Sequence, residues 1–214
     1  IIPVISGGLE QSVRAGASLL VDGFGSIDEG SPSTDALTFV WSCLQLFPFY
    51  STACPLSFVP QSDARELLIS ADVAVNSTQS RITLTVLDEN RTGFSHVFIS
   101  SVAALAPLIV FPTAESPILR SDPLILSATI DTAIPCVATW STNATELPIA
   151  QLSSSPITKT MTGVLQERIY LSLKANVLSE GVTYLFRVSC GISTAAVVTT
   201  VNQGPQYGAL LVTP

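Results

Sequence analysis

Charged side chains are scarce in this chain: they make up 12% of its 214 residues, against 47% that are hydrophobic. Lys and Arg together number nine, they form no run, and the formal net charge is −7 at pH 7. Nucleic-acid binding rests on Lys and Arg that neutralise phosphates, and docking to an anionic membrane needs a basic cluster. We therefore expect no nucleic acid and no charged membrane surface among the partners.

The chain also lacks a long hydrophobic run. Its most apolar stretch, residues 97–111, is too short to span a bilayer and contains Pro107. No basic start followed by an apolar centre and a small-residue cleavage site marks a signal peptide. We expect no direct membrane insertion by this segment. The single Met, at position 161, leads us to expect a fragment of a longer protein.

Residues suited to catalysis are few. His96 is the only histidine, and no Ser or Cys nucleophile motif lies near it, which favours a structural or surface role over that of a triad base. The four cysteines lack the C-x-x-C spacing of zinc or redox sites. No carboxylate pair is recognisable as the acid and base of a glycosidase. We expect a non-enzyme with no catalytic residue and no cofactor.

Ser, Thr, Gly and Pro are abundant around short apolar segments, which is the profile of an all-β chain with many turns. Residues 18–43 set the pattern. An apolar strand leads through a Gly/Asp-rich bend and a polar turn into an alternating strand that places Leu37, Phe39, Trp41 and Cys43 on one face. An inward-facing Trp on such a strand is typical of the centre of a β-sandwich core.

Similar segments follow through both halves of the chain. The predicted strands are 1–5, 13–16, 65–75, 81–88 and 94–102 in the first half, with a hairpin turn at 88–93, and 108–111, 123–130, 136–140, 168–174, 184–190 and 193–201 in the second. Tyr184 begins its strand as a tyrosine corner does. Residues 103–107 end at a Pro and mark a boundary across which we expect no strand pairing.

The fold prediction is therefore two tandem Ig-like or fibronectin type III-like antiparallel β-sandwiches. The first covers residues 1–104. The second covers residues 105–214 and ends, at 202–214, in a linker to a further module.

Four cysteines allow three pairings, and we favour two local ones. Cys43 and Cys54 are separated by ten residues, a comfortable span for a local staple. Cys136 and Cys190 lie on strands that neighbour each other in an antiparallel sandwich, which brings them together. Disulfides indicate an oxidising compartment, and three sequons, at Asn76, Asn90 and Asn143, are candidate N-glycosylation sites. Together these features predict a secreted glycoprotein or an ectodomain.

Two further features each leave two hypotheses open. Carboxylates around the opening bend either form a calcium site or shape the turn by accepting hydrogen bonds from backbone amides; they are Asp22, Asp28, Glu29 and Asp35. The aromatic loop at residues 46–50 either presents Phe47, Phe49 and Tyr50 as a contact patch for a glycan or protein, or folds over the open end of the sandwich.

The motifs VDGFGSIDEG, LTFVWSC and RITLTVLDENRTG in the first half resemble polycystic-kidney-disease (PKD) domains. In the second half, PLILSATI, CVATW and LSEGVTYLFRVSC resemble fibronectin-type domains of the receptor-for-egg-jelly (REJ) region of polycystin-type membrane proteins. Trp41, Cys43 and Cys54 match the Trp-x-Cys and following Cys of that region. Ser80 stands where a PKD strand carries Tyr, so the chain resembles the REJ region more than a plain PKD repeat.

The resemblance implies a non-enzymatic extracellular module pair in a larger surface receptor or adhesin. Such a pair would act as a spacer and as an interaction platform for proteins or glycans, beside neighbouring β-sandwich modules of the same chain. The alternative is a carbohydrate-binding or accessory module of a secreted enzyme or a surface-layer protein, because fold does not fix function.

Overall fold

The computed structural model describes residues 1–30, 37–74, 77–112, 118–163 and 166–203. Within these residues the fold is all-β, as predicted, with one short helix, α1 (Ile149–Leu152). The strands are β1 (Glu10–Arg14), β2 (Ser18–Asp22), β3 (Thr38–Phe47), β4 (Ser57–Pro60), β5 (Glu66–Ser70), β6 (Gln79–Leu87), β7 (Thr92–Val102), β8 (Leu108–Val110), β9 (Leu124–Asp131), β10 (Cys136–Thr142), β11 (Thr158–Met161), β12 (Glu167–Leu173), β13 (Thr183–Cys190) and β14 (Ser193–Thr200).

These strands form one long sheet and two short ones. The long sheet has eight strands in the order β11-β10-β13-β14-β1-β7-β6-β3, and the short sheets have the orders β2-β5-β4 and β12-β9-β8. Strand β1 is central to the long sheet, because it pairs in parallel with β7 over its whole length and with β14 at Glu10↔Ala196. The long sheet therefore runs without interruption from the first half of the chain into the second.

The first core lies between the long sheet and β2-β5-β4, and its buried side chains come from residues between Ile5 and Ile99. The alternation predicted for β6 is confirmed, since Ile82, Leu84 and Val86 are fully buried. Trp41 is also buried, and its indole Nε1 donates to Ala64 O at 2.9 Å. The predicted inward face of the Trp strand is thus confirmed.

The second core lies between the long sheet and β12-β9-β8, with buried side chains from Ile109 to Val201. Trp140 is buried there against Phe111, with 5.9 Å between ring centroids. The tyrosine corner is confirmed, because the Tyr184 hydroxyl accepts a hydrogen bond from Ser179 N at 2.9 Å. Trp41 and Trp140 therefore lie in two separate cores.

Two expectations about the first half were wrong. Residues 1–5 form no regular strand: Ile2 makes one bridge, to Ile27, and the amide of Val4 donates instead to Ser26 Oγ. Pro3 has no N–H to continue a ladder, which explains the interruption. The expected absence of pairing across residues 103–107 was also wrong, since β1 pairs with β14.

A close backbone approach makes this pairing possible. Leu9 N donates to Ala196 O at 2.8 Å, and the preceding Gly8 has a φ of +92°. A Cβ added to Gly8 would lie 2.5 Å from Ala196 O. Only glycine tolerates both the left-handed backbone and this contact.

Two arginines add polar contacts between the halves of the chain. The Arg14 guanidinium donates to Ala106 O at 2.8 Å, to Asp131 Oδ2 at 2.9 Å and to Asp131 O at 2.7 Å. From β13, two strands away from β1 in the long sheet, Arg187 Nε donates to Glu10 Oε2 at 3.0 Å, and a second hydrogen bond joins Nη2 to Oε1. Arg14 is the better protected of the two, with 21% of its side chain exposed against 40% for Arg187.

We expect Arg14→Met to destabilise the whole chain. Met keeps most of the apolar stem but removes three charge-assisted hydrogen bonds, so the free energy of unfolding should fall by about 2 kcal/mol. Urea titration followed by Trp fluorescence measures this loss. Arg81→Met is the matched control, because Arg81 is an exposed arginine on β6 of the same sheet. A loss no larger than that of Arg81→Met would contradict the bridging role of Arg14.

Candidate functional site at the junction of the two halves

A groove of about 590 Å³ lies where the two halves meet. We call it the junction groove. Its described lining comes from the end of β3, the segment that leads into β6, the end of β7 and the turn between β13 and β14: Phe47, Ser77, Thr78, Gln79, Ser100, Ser101, Val102, Ala103 and Ile192. None of these side chains is charged. Ile192 can line the groove because β1 holds β14, and with it the β13–β14 turn, beside the first half.

The polar floor of the groove is held by its own hydrogen bonds. Thr78 N donates to Ser101 Oγ at 3.1 Å, and the two hydroxyls of Thr78 and Ser101 lie 2.8 Å apart. Ser77 N donates to Ser101 O at 3.0 Å. A fixed, uncharged floor with hydroxyl and amide groups beside apolar walls is suited to binding a neutral ligand. Among the lining residues that the structure describes, no nucleophile is paired with a base.

The aromatic loop is exposed, so it does not fold over the end of the sheet. The exposed fractions are 56% for Phe47, 66% for Phe49 and 68% for Tyr50. Gln45 fixes the loop from its base: its backbone pairs with Ser51 and its side-chain Nε2 donates to Phe49 O at 3.1 Å. Phe47 also forms one wall of the junction groove. Loop and groove are therefore one continuous surface.

Both predicted disulfides are confirmed. Cys43–Cys54 closes the aromatic loop with 5.5 Å between Cα atoms, and Cys136–Cys190 joins neighbouring strands β10 and β13 with 5.6 Å. Of the three sequons, those at Asn90 and Asn143 have exposed asparagines. Asn76 lies outside the described residues.

The acidic bend has the contacts of a structured turn. Arg91 Nη1 and Nη2 donate to the two oxygens of Asp28 at 2.9 and 2.8 Å, and Gly30 N donates to Asp28 Oδ1. The Arg91 hydrogen bonds, followed by that of Gly30, lower the pKa of Asp28 below its ordinary value. Asp22 Oδ1 accepts from Ser6 Oγ at 2.9 Å.

The remaining predicted ligands do not add to a metal centre in the described part of the chain. Glu29 is exposed, and Asp35 lies outside the described residues. No group of three His, Cys, Asp or Glu side chains that could hold a metal ion occurs among residues that the structure describes. The contacts of Asp22 and Asp28 agree with the turn-shaping hypothesis.

His96 is exposed on β7, where its ring packs edge-on against Phe98 with 5.2 Å between centroids. No hydrogen bond between His96 and a carboxylate or a nucleophile occurs in the described ranges, which agrees with a surface role. Sequence reasoning missed three residues of this region: Arg91, which ties the bend to the β6–β7 turn, Ser101 and Ile192. The polar run at residues 76–80 was the one available signal for the groove floor.

A sequence model of the REJ domain matches residues 1–214, the whole chain. This chain belongs to the REJ domain family. Family membership indicates a module of an extracellular receptor, and the two disulfides fit an oxidising compartment. Among the described residues, no helix has the length and apolar character needed to cross a bilayer.

Comparison with other known proteins shows remote similarities. No curated protein matches this chain. Titin domains Z1Z2, solved in complex with telethonin, are 14% identical, with 95% of this chain and 98% of that chain covered and a TM-score of 0.31. The titin fragment A168169 is 12% identical, with 95% and 100% covered and a TM-score of 0.33.

A nucleoside hydrolase-related hypothetical protein from Saccharophagus degradans, described as associated with carbohydrate metabolism, is 17% identical with a TM-score of 0.33. That similarity covers 47% of this chain and spans 25% of the length of the other. Family membership, and not these remote structural similarities, is what bears on function.

The Asp28–Arg91 pair predicts a pH dependence of stability. Because the pKa of Asp28 is lowered in the folded state, its contribution is present above the ordinary value of 3.8 and is lost as the pH falls through the lower folded-state value. Asp28→Asn should therefore lower Tm at pH 7, and its deficit against wild type should shrink as the pH falls below 3.8.

Thermal unfolding across this range measures the effect. Glu29→Gln is the control, since it also removes one negative charge but at an exposed position. A deficit of Asp28→Asn that stays constant down to the lowest pH would contradict the role of the pair.

Proposed function

We propose that the chain is a non-enzymatic extracellular module pair within a larger surface receptor or adhesin, where it acts as a spacer and an interaction platform. In this proposal the two cores belong to two tandem Ig-like or fibronectin type III-like β-sandwiches, residues 1–104 and 105–214. The partner is an extracellular protein or glycan, and neither calcium nor another cofactor takes part. The PKD-like character of the first half belongs to the same proposal.

The observation that carries this proposal is the shared strand β1. A flexible pair of modules would be joined by a linker alone, whereas here β1 pairs with both β7 and β14. The ion pairs Glu10–Arg187 and Arg14–Asp131 reinforce the same connection. A pair with a fixed angle transmits position along a stalk and presents the junction groove in a constant shape. These features suit a spacer that also offers a binding surface.

The extracellular part of the proposal is tested by the thiol state of the secreted protein. Expressed behind a signal peptide in eukaryotic cells, the chain should carry both disulfides and no free thiol, as measured by alkylation and intact-mass spectrometry. Free thiols in the secreted, folded protein would contradict it.

The two disulfides should also differ in how much each contributes to the stability of this protein. Cys136–Cys190 closes a segment of 54 residues and Cys43–Cys54 one of 11. Replacing both cysteines by Ser should lower the free energy of unfolding by about 4 kcal/mol for Cys136–Cys190 and by about 3 kcal/mol for Cys43–Cys54. The reason is that a crosslink closing a longer loop removes more entropy from the unfolded chain.

A second candidate function, a carbohydrate-binding or accessory module, is favoured by the uncharged junction groove beside exposed Phe47, Phe49 and Tyr50. Aromatic faces next to hydroxyl and amide groups suit a neutral oligosaccharide. Replacing Phe47, Phe49 and Tyr50 together by Ala should weaken the binding of any oligosaccharide selected on a glycan array by at least about tenfold, or about 1.4 kcal/mol. Its Tm should stay unchanged, because the three rings are exposed.

Phe94→Ala is the matched control for this experiment. Phe94 is 73% exposed on β7 but does not line the junction groove. An equal loss of binding in Phe94→Ala, or no neutral oligosaccharide bound on the array, would count against the second candidate.

A further inference from the structure

A second groove, of about 340 Å³, begins at the sequon asparagine Asn143 and reaches the tyrosine corner. We call it the corner groove. Its apolar part is formed by Leu147, Val177, Val182 and the edge of Tyr184, and its rim carries Glu146 and Ser179. Val182 is 40% exposed, whereas Leu147 and Tyr184 belong to the second core. The groove therefore borders the second core, and Val182 is its exposed apolar residue.

The side chain of Asn143 is oriented at the mouth of this groove. Asn143 follows directly after β10 and extends its pairing with β13: its backbone N donates to Leu185 O at 3.2 Å, and its Oδ1 accepts from Leu185 N at 3.0 Å. The residue is nevertheless exposed. The amide oxygen is thus engaged with the backbone, and Nδ2 is the atom of the side chain left for modification. An N-glycosylated amide keeps its carbonyl oxygen, so the bond from Leu185 N persists after modification.

One wall of the corner groove, the ring of Tyr184, is held in place before any ligand arrives. The Tyr184 hydroxyl accepts the hydrogen bond from Ser179 N, which fixes the ring that forms one wall. N-acetylglucosamine has an apolar ring face and an acetyl methyl group that suit Val177, Val182 and Tyr184. Its hydroxyl groups suit the carboxylate of Glu146 at the rim. Preformed walls reduce the entropy lost when the sugar is immobilised.

We propose that Asn143 carries an N-linked glycan whose first N-acetylglucosamine lies in the corner groove and stabilises the second core. The inference rests on the proposed extracellular location, because the secretory pathway supplies the modification. In the transfer step, Asn143 Nδ2 bonds to the anomeric carbon of the oligosaccharide. The bond from that carbon to the lipid diphosphate donor breaks, the diphosphate leaves with the electron pair, and the amide loses one proton.

Asn90 provides an internal comparison. It is also an exposed sequon asparagine, but it lies in the turn between β6 and β7, where its backbone N donates to Asp88 Oδ1 at 2.8 Å. Asn90 lines neither the junction groove nor the corner groove. A glycan at Asn90 therefore lies outside both grooves and should leave the stability of the fold unchanged.

The test uses the full chain secreted from cells that add high-mannose glycans, which an endoglycosidase then trims to one N-acetylglucosamine. Thr145→Ala removes the Asn143 sequon and leaves Asn143 and its bond to Leu185 in place. Its Tm should be lower than that of the trimmed wild type by about 2–4 °C, the shift expected for 1 kcal/mol in a chain of this size. Thr92→Ala, which removes the Asn90 sequon, should leave Tm unchanged relative to the trimmed wild type.

Val182→Ser tests the groove itself. The difference in Tm between glycosylated and Thr145→Ala forms should shrink in the Val182→Ser background, and this difference is independent of any direct effect of Val182→Ser on folding. Peptide mapping that finds Asn143 unmodified, or equal Tm shifts for Thr145→Ala and Thr92→Ala, would overturn the proposal. Free thiols in the same protein would instead overturn the extracellular function, so the two failures are distinguishable.

Discussion

Strand β1 must satisfy two neighbours at once, and the arrangement of the two halves depends on it. One edge of β1 completes a parallel ladder with β7, while the other meets β14. An unpaired edge at β14 would expose backbone N–H and C=O groups to other chains. Using β1 to pair with it closes that edge and fixes the second core beside the first. The left-handed backbone of Gly8 is what allows the chain to approach Ala196 closely enough for this to happen.

The scarcity of charged residues can be related to the places in the fold where the ion pairs lie. The strands are built from apolar and hydroxyl side chains, and several of the few ion pairs lie at joints: Glu10–Arg187 and Arg14–Asp131 between the halves, and Arg91 between the bend and a turn. An exposed ion pair contributes little to stability by itself. At a joint, however, a bidentate arginine selects one geometry among many that burial alone would permit. Hydrophobic alternation therefore builds each core, and sparse charges orient the parts.

The alternating strands, the two tryptophans, the disulfides and the tyrosine corner were predictable because each depends on local periodicity or on one familiar motif. Ile82, Leu84 and Val86 could be assigned to the core from their spacing alone. Strands β4 and β11 were missed because Ser57–Pro60 is exposed throughout and Thr158–Met161 shows little alternation. The β1–β14 pairing could not be predicted, because the partners Glu10 and Ala196 are far apart in sequence. The local sequence of neither strand indicates which strand it pairs with. For the same reason Ile192 could not be assigned to the junction groove.

The shape of the junction groove depends on the connection between the two halves of the chain. Phe47 and the floor residues Thr78 and Ser101 belong to the first half, whereas Ile192 belongs to the second. The groove has its shape only while β1 holds β14 against the first half. A change at Gly8 or Arg14 would leave the residues of the groove intact and still alter its width. The residues that determine what the surface can bind therefore include some that no ligand would touch.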